Sequence, residues 1–247
     1  MDELVYKMKS IRLSGMAEKL SIRIQEATAN ELSYLEFLTN LVEDELTKRK
    51  DRLLNKRLKQ ASLPFMKTIA DFDFSFNPSI NRQQIKQLAS CAFVADHENI
   101  LMIGPPGVGK THLAAAFSIE AIQKGFTVLY KSIFDIAADI IKHEAHVVDD
   151  YLKPDLLIFD ELGMKKLSLA ANEIILEVTH RRYQKTSTII ATNRPIEDWG
   201  KIFGDNATAS AILDRFLENV HLIKITGGSF RLRNFKTKER KMVDTKT

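Results

Sequence analysis

The sequence predicts an α/β fold, with a three-layer core around a five-stranded parallel sheet, preceded by a small all-α amino-terminal domain. Three observations carry this. Short apolar runs at 100–103, 127–130, 156–159, 188–191 and 221–225 alternate with helical stretches at 111–123, 133–143, 170–183 and 210–217. Buried strands alternating with helices specify a parallel sheet covered on both faces. By contrast, residues 4–61 contain no proline, only one glycine (Gly15), and apolar residues at helical spacing.

Taken in order, the amino-terminal region reads as two or more amphipathic helices with a break within 27–33. Leu4, Met8 and Ile11, then Met16, Leu20 and Ile24, then Leu35, Leu38, Val42 and Leu46 mark their apolar faces. Ser33 with Glu36 makes the reciprocal capping pattern that starts the last helix. That helix is expected to run unbroken into Lys48, Arg49, Lys50, Arg52, Lys56, Arg57 and Lys59, seven cations against Asp51 alone. A second basic cluster (Arg231, Arg233, Lys236, Lys238, Arg240 and Lys241) stands against Glu239 alone. The net charge of +4 hides this concentration. Two dense basic segments suit a polyanion, most economically nucleic acid. Lys48, Arg49, Arg52, Lys56, Arg57 and Lys59 are the candidate DNA-binding residues.

The expected organisation is a helical DNA-binding and assembly domain at 1–61, a linker at 62–80, the α/β domain at 81–233 and a flexible basic tail at 234–247. The linker holds two prolines and the string Asp71-Phe72-Asp73-Phe74-Ser75-Phe76. Its phenylalanines read as packing onto a core, with base stacking as the alternative. A composition of 45% hydrophobic and 28% charged residues excludes collagen-like, low-complexity and wholly disordered chains. Cys91, the single cysteine, can form no internal disulfide and reads as a small buried hydrophobe in a reducing compartment. No apolar run approaches the ~18 residues of a spanning helix, and no export signal core is present. A cytoplasmic protein without membrane association is expected.

Directly after the first predicted strand stands Gly104-Pro105-Pro106-Gly107-Val108-Gly109-Lys110-Thr111, opening a helix. This is the phosphate-binding loop pattern. Its glycines let backbone N–H groups turn inward, so those dipoles and the helix amino terminus hold a polyphosphate. Lys110 would place its ammonium on the β/γ oxygens, and the Thr111 hydroxyl would ligate Mg²⁺. The loop therefore calls for a nucleotide polyphosphate and Mg²⁺ as cofactors. His112, next in the chain, is expected to pack near the nucleotide. Two strands further on, Leu156-Leu157-Ile158-Phe159 ends in Asp160-Glu161. Asp160 would hold Mg²⁺, and Glu161 would orient and deprotonate an attacking water, which favours hydrolysis over transfer. At the end of the next strand, Asn193 can reach the γ-phosphate and the water; capping the turn into Arg194-Pro195 is the alternative. His143, His146, Asp149 and Asp150 lack a persuasive metal-ligand spacing and read as an irregular, pore-side loop. Trp199 reads as packing.

These motifs together resemble the DnaC/IstB group of AAA+ ATPases, and the transposition helpers of the IstB type above all. The similarity extends to Ser210-Ala211-Ile212-Leu213-Asp214-Arg215-Phe216, Arg12-Leu13-Ser14-Gly15-Met16-Ala17, Tyr34-Leu35-Glu36-Phe37-Leu38 and Lys67-Thr68-Ile69-Ala70-Asp71-Phe72-Asp73-Phe74. The resemblance implies a P-loop AAA+ core with a reduced lid. It further implies an ATPase that forms homo-oligomers on duplex DNA without sequence preference and helps a transposase choose its insertion target. Arg215 would be an arginine finger reaching the ATP of a neighbouring subunit; on the residues alone, a surface ion pair with Asp214 or Glu218 competes. Arg231 would be either a second nucleotide sensor or a DNA-facing cation. The rival readings are a DnaC-type replicative helicase loader and an ATP-switched DNA-coating scaffold with negligible turnover.

Overall fold

A computed structural model describes residues 1–143, 146–204 and 206–233. The chain divides into two compact units, Met1–Arg57 and Leu58–Thr247. The expected flexible tail at 234–247 lies outside the described residues.

The first unit is helical. It contains α1 (Asp2–Ser10), α2 (Ser14–Ala29) and most of α3 (Tyr34–Gln60). The predicted break near residue 30 is present, and Ser33 opens α3 through the predicted reciprocal cap: its amide donates to Glu36 Oε2 at 2.8 Å, and the Glu36 amide donates to Ser33 Oγ at 3.3 Å. A second break, at residues 11–13, separates α1 from α2.

What joins α2 to α3 is more polar than the apolar periodicity predicts. A Cβ on Gly15 would lie 2.7 Å from both Asp44 O and Glu45 Cα, so only glycine allows this helix crossing. The Glu45 carboxylate, 4% exposed, accepts from the amides of Gly15 at 2.6 Å and Met16 at 3.3 Å. It thereby caps α2 from a neighbouring helix, where an anion also suits the helix dipole. Arg49 Nε pairs with Glu45 at 2.7 Å, Arg23 grips Asp44 through two bonds at 2.8 and 2.9 Å, and Lys48 reaches Glu18 at 2.9 Å. Leu35, Leu38, Val42 and Leu46, the predicted apolar face, are exposed instead.

The second unit carries the predicted parallel sheet. Its strands are β1 (Asn99–Ile103), β2 (Val128–Ser132), β3 (Leu156–Leu162), β4 (Ser187–Thr192) and β5 (Val220–Lys224), in the spatial order β2-β3-β4-β1-β5. All four pairings are parallel. Between the strands run α6 (Lys110–Gln123), α7 (Ile133–His143), α8 (Val147–Leu152), α9 (Leu169–Arg182), α10 (Trp199–Phe203) and α11 (Asn206–Leu217); α4 (Arg82–Leu88) and α5 (Ala92–Ala95) precede β1. Helix α6 is buried along most of its length, as a helix lying on a sheet centre must be. On the other face Leu157, Phe159, Ile175, Trp199, Ile212 and Phe216 share one core cluster. Cys91 and Trp199 are both fully buried, as expected of packing residues.

The buried Arg182 fastens the end of the sheet remote from the phosphate loop. Its guanidinium donates to the carbonyls of Tyr151, Pro154, Asp155 and Ser187 and to Thr188 Oγ1. Burial pulls its pKa down to about 10, still well above neutrality, so the cation persists.

Candidate functional site

In a parallel sheet, ligands gather at the carboxyl ends of the strands, where the order of connection reverses. Here β1 delivers the phosphate loop, and β4 separates it from β3. Asp160 and Glu161 at the tip of β3, Asn193 just after β4, and the loop from Gly104 to Lys110 therefore share one edge of the sheet.

The loop has the backbone that the sequence demands. Gly107 and Gly109 take φ of 79° and 108°, and Gly109 is the residue from which α6 starts. Lys110, 8% exposed, folds its ammonium back onto the carbonyls of Gly104 at 2.6 Å and Pro105 at 2.8 Å. These carbonyls hold the donors that phosphate oxygens would take. Burial lowers the Lys110 pKa; nearby Asp160 counteracts this and Arg231 reinforces it. Thr111 follows at the first turn of α6.

Asp160 is 1% exposed and has a donor on each oxygen, the Tyr130 hydroxyl on Oδ2 and the Glu161 amide, at 2.7 Å, on Oδ1. The next residue breaks the ladder. Phe159 pairs with Ile190 and Leu162 with Thr192, so β3 spends three steps where β4 spends two. The extra residue accompanies a bulge, and Glu161 takes a left-handed φ of 61°. Bulges re-aim side chains next to active sites, and a left-handed non-glycine residue costs roughly 1–2 kcal/mol. Burial and the adjacent Asp160 raise the Glu161 pKa, while Arg231 lowers it. A raised pKa makes a carboxylate a better proton acceptor.

Asn193 carries a buried Oδ1 with no hydrogen-bond partner among the described residues, beside Gly163, where a Cβ would lie 3.3 Å from it. An orphaned polar atom at this edge suits a site completed by ligand.

Two segments outside the loop and strand-end motifs also reach the loop. The linker packs directly on it: Phe72 closes over Gly109, where a Cβ would lie 2.6 Å from its ring, and Asn77 Nδ2 donates to Val108 O at 2.6 Å. His112 Nε2 lies 2.9 Å from Thr68 O, and its ring meets the edge of Phe72 at 5.1 Å. The carboxyl-terminal segment reaches the loop as well. The Phe230 amide donates to Gly107 O at 3.0 Å, and Phe230 stacks edge-on to Phe76 at 5.1 Å. Between linker, loop and Phe230 lies a cavity of about 210 Å³, lined by Phe72, Phe76, Lys110, Thr111, Phe230 and Arg231 among others. An aromatic cleft opening beside a phosphate loop suits a purine base. Arg231 thus lies at the loop, within electrostatic reach of Lys110 and Glu161. Proline and phenylalanine in the linker signalled packing but not what was packed against.

Arg215 donates to Ala211 O, one turn back in α11, at 2.9 Å. Among the basic residues of α3, Lys48 and Arg49 are tied within the helical unit as described, Arg52 donates to Ser14 Oγ, and Lys56 and Lys59 are exposed. No group of three His, Cys, Asp or Glu residues able to hold a metal occurs among the described residues. The His143 side chain is outside them, as is part of the loop that follows. No helix of the described residues is long and apolar enough to cross a membrane.

Comparison with known proteins agrees with this geometry. Solved structures of DnaI (19% identical, 66% of this chain and 89% of that one, TM-score 0.54) and of AMPPCP-bound DnaA from Aquifex aeolicus (22%, 73% and 56%, TM-score 0.54) share the fold of the α/β unit. Over nearly the full length, the chain is 36% identical to a protein of Pseudomonas aeruginosa named for ATP binding and for insertion sequence IS21, covering 94% of this chain and 90% of that one. It is 35% identical to a counterpart in insertion sequence IS5376 of Geobacillus stearothermophilus, covering 95% of each. With a family match running from residue 6 to residue 238, the chain belongs to the IstB-like ATP binding proteins.

Proposed function

We propose that this chain is a cytoplasmic Mg²⁺-dependent ATPase that oligomerises on duplex DNA and assists a transposase in selecting where a mobile element inserts. The observation that carries the hydrolytic part is Glu161, swung out by a bulge beside Asp160 and the phosphate loop. The insertion-sequence names of its full-length relatives support the role in transposition.

The residues divide the work as follows. The loop amides from Gly104 to Gly109 and the start of α6 bind the phosphates, with Lys110 leaving its carbonyl partners for their oxygens. Phe72, Phe76 and Phe230 form the cleft for the base. Thr111 and Asp160 offer the hard oxygen donors that Mg²⁺ requires; when bound, the ion neutralises charge on the β- and γ-phosphates. Glu161 takes a proton from water as its oxygen attacks the γ-phosphorus, the bond to the β-γ bridging oxygen breaks, and ADP and phosphate leave. Asn193 holds that water and the γ-phosphate through the amide whose oxygen is otherwise orphaned. Arg215, free of any role at its own site's loop, acts in trans on the ATP of a neighbouring subunit. Lys56, Arg57 and Lys59, with the other cations of α3, contact DNA phosphates without reading sequence.

The test is assembly of the full chain on a 50-base-pair duplex and on a matching single strand, with ATP, with ADP and without nucleotide, alongside phosphate release. ATP-dependent, salt-sensitive loading on the duplex, with Glu161→Gln keeping ATP-bound assemblies in place while phosphate release falls ~100-fold or more, is the expected result. Preference for the single strand would instead indicate a helicase loader. Loading indifferent to nucleotide would overturn the ATP-controlled mechanism.

A further inference from the structure

Tyr130 belongs to none of the motifs that mark the nucleotide site, yet it touches the site's most buried acid. It lies on β2, the strand beside β3, where Tyr130 pairs with Ile158 and Ser132 with Asp160. Tyr130 is therefore two residues short of Asp160 along the sheet and points to the same face. Two residues of strand rise about 6.6 Å, close to the length of a tyrosine side chain. The hydroxyl spans that distance and donates to Asp160 Oδ2.

We propose that Tyr130 is a positioning residue for Mg²⁺: its hydroxyl fixes the orientation in which the Asp160 carboxylate meets the ion. The proposal rests on the reading of Asp160 as the residue that holds Mg²⁺. With Tyr130 on one oxygen and the Glu161 amide on the other, the carboxylate cannot rotate without losing a bond. Each carboxylate oxygen has two acceptor positions, so each keeps one for the ion's water shell. Tyr130 is 5% exposed. A phenylalanine would fill the same space, so the hydroxyl is what packing alone leaves unexplained. Partners of metal ligands typically contribute 10–100-fold in metal affinity.

The test uses the full chain with Glu161→Gln as background, so that no ATP is consumed. Binding of a fluorescent ATP analogue is titrated with MgCl₂ for the background, for added Tyr130→Phe and for added Asp160→Asn, and each variant is melted. Expected are a roughly tenfold higher Mg²⁺ midpoint for Tyr130→Phe, unchanged analogue affinity without Mg²⁺, and a larger shift for Asp160→Asn. A Tyr130→Phe midpoint within about twofold of the background, while Asp160→Asn shifts, overturns the role of Tyr130 and leaves Asp160 as the holder of the ion. An unmoved Asp160→Asn midpoint overturns both. Equal weakening with and without Mg²⁺ means that only structure was lost, which also overturns the proposal. Should Tyr130→Phe fail to fold, Tyr130→Leu is read by the same criteria.

Discussion

The amide of Phe230 donates to the carbonyl of Gly107, tying the last described segment of the chain to the middle of the phosphate loop. At the same point a Cβ on Gly107 would run into the Ser229 side chain. The loop is thus shaped from outside as well as by its own glycines.

Gly107→Ala should therefore fail twice, through its φ of 79° and through Ser229. The expected loss of ATP affinity is about tenfold or more, since the left-handed backbone alone costs an alanine roughly 1–2 kcal/mol. Adding Ser229→Gly relieves the collision and should recover part of the loss. Nucleotide titration checks this; equal affinities for the single and double variants would show that the contact has no effect.

The pH profile of hydrolysis follows from Glu161. In its proposed role as proton acceptor Glu161 has to be ionised, so activity is expected to fall as pH drops through its pKa. Burial and Asp160 hold that pKa above the ordinary 4.5, which places the acid limb above that value. Arg231 opposes the rise, so Arg231→Met should move the limb to higher pH, whatever it does to the plateau rate. A limb that stays put or moves toward acid would remove Arg231 from the electrostatics of the site.

The basic stretch of α3 should separate into two classes. Lys56→Ala and Lys59→Ala are expected to leave the melting temperature unchanged and to reduce the salt dependence of duplex binding by about one unit of slope each. Lys48→Ala and Arg49→Ala should also loosen the helical unit, because their partners Glu18 and Glu45 lie within it. Melting curves beside salt titrations distinguish the two; identical behaviour of all four variants would contradict it.

Gly15→Ala is expected to destabilise that unit by about 1–3 kcal/mol, the usual cost of forcing atoms into a filled contact. Urea unfolding followed by circular dichroism would register it, and an unchanged midpoint would mean that the α2–α3 crossing adjusts freely.

Much of the candidate nucleotide site was legible because its residues are adjacent in the chain. Gly104 to Thr111, Asp160 with Glu161, and Asn193 each follow or end a strand whose apolar run is visible in the sequence, and the strand ends differ from expectation by at most three residues. What was hidden depends on register. The bond from Tyr130 to Asp160 exists only once β2 and β3 are aligned, and the bulge at Glu161 only once β3 is counted against β4. Apolar periodicity also misplaced the contact face of α3. Gly15 and the buried Glu45 bring α2 close through hydrogen bonds and ion pairs, which no hydrophobic pattern records. The linker string around Phe72 looked like packing and is packing, but against the phosphate loop.

With Glu161 as the proposed base, its left-handed backbone sets robustness against activity at a single position. Glycine would occupy that φ without penalty, so Glu161→Gly should give a chain that melts higher and hydrolyses nothing. Random variation sorted by heat resistance alone would tend to enrich for inactive proteins here. On its proposed role, the acid at this bulge would persist only where turnover itself is selected.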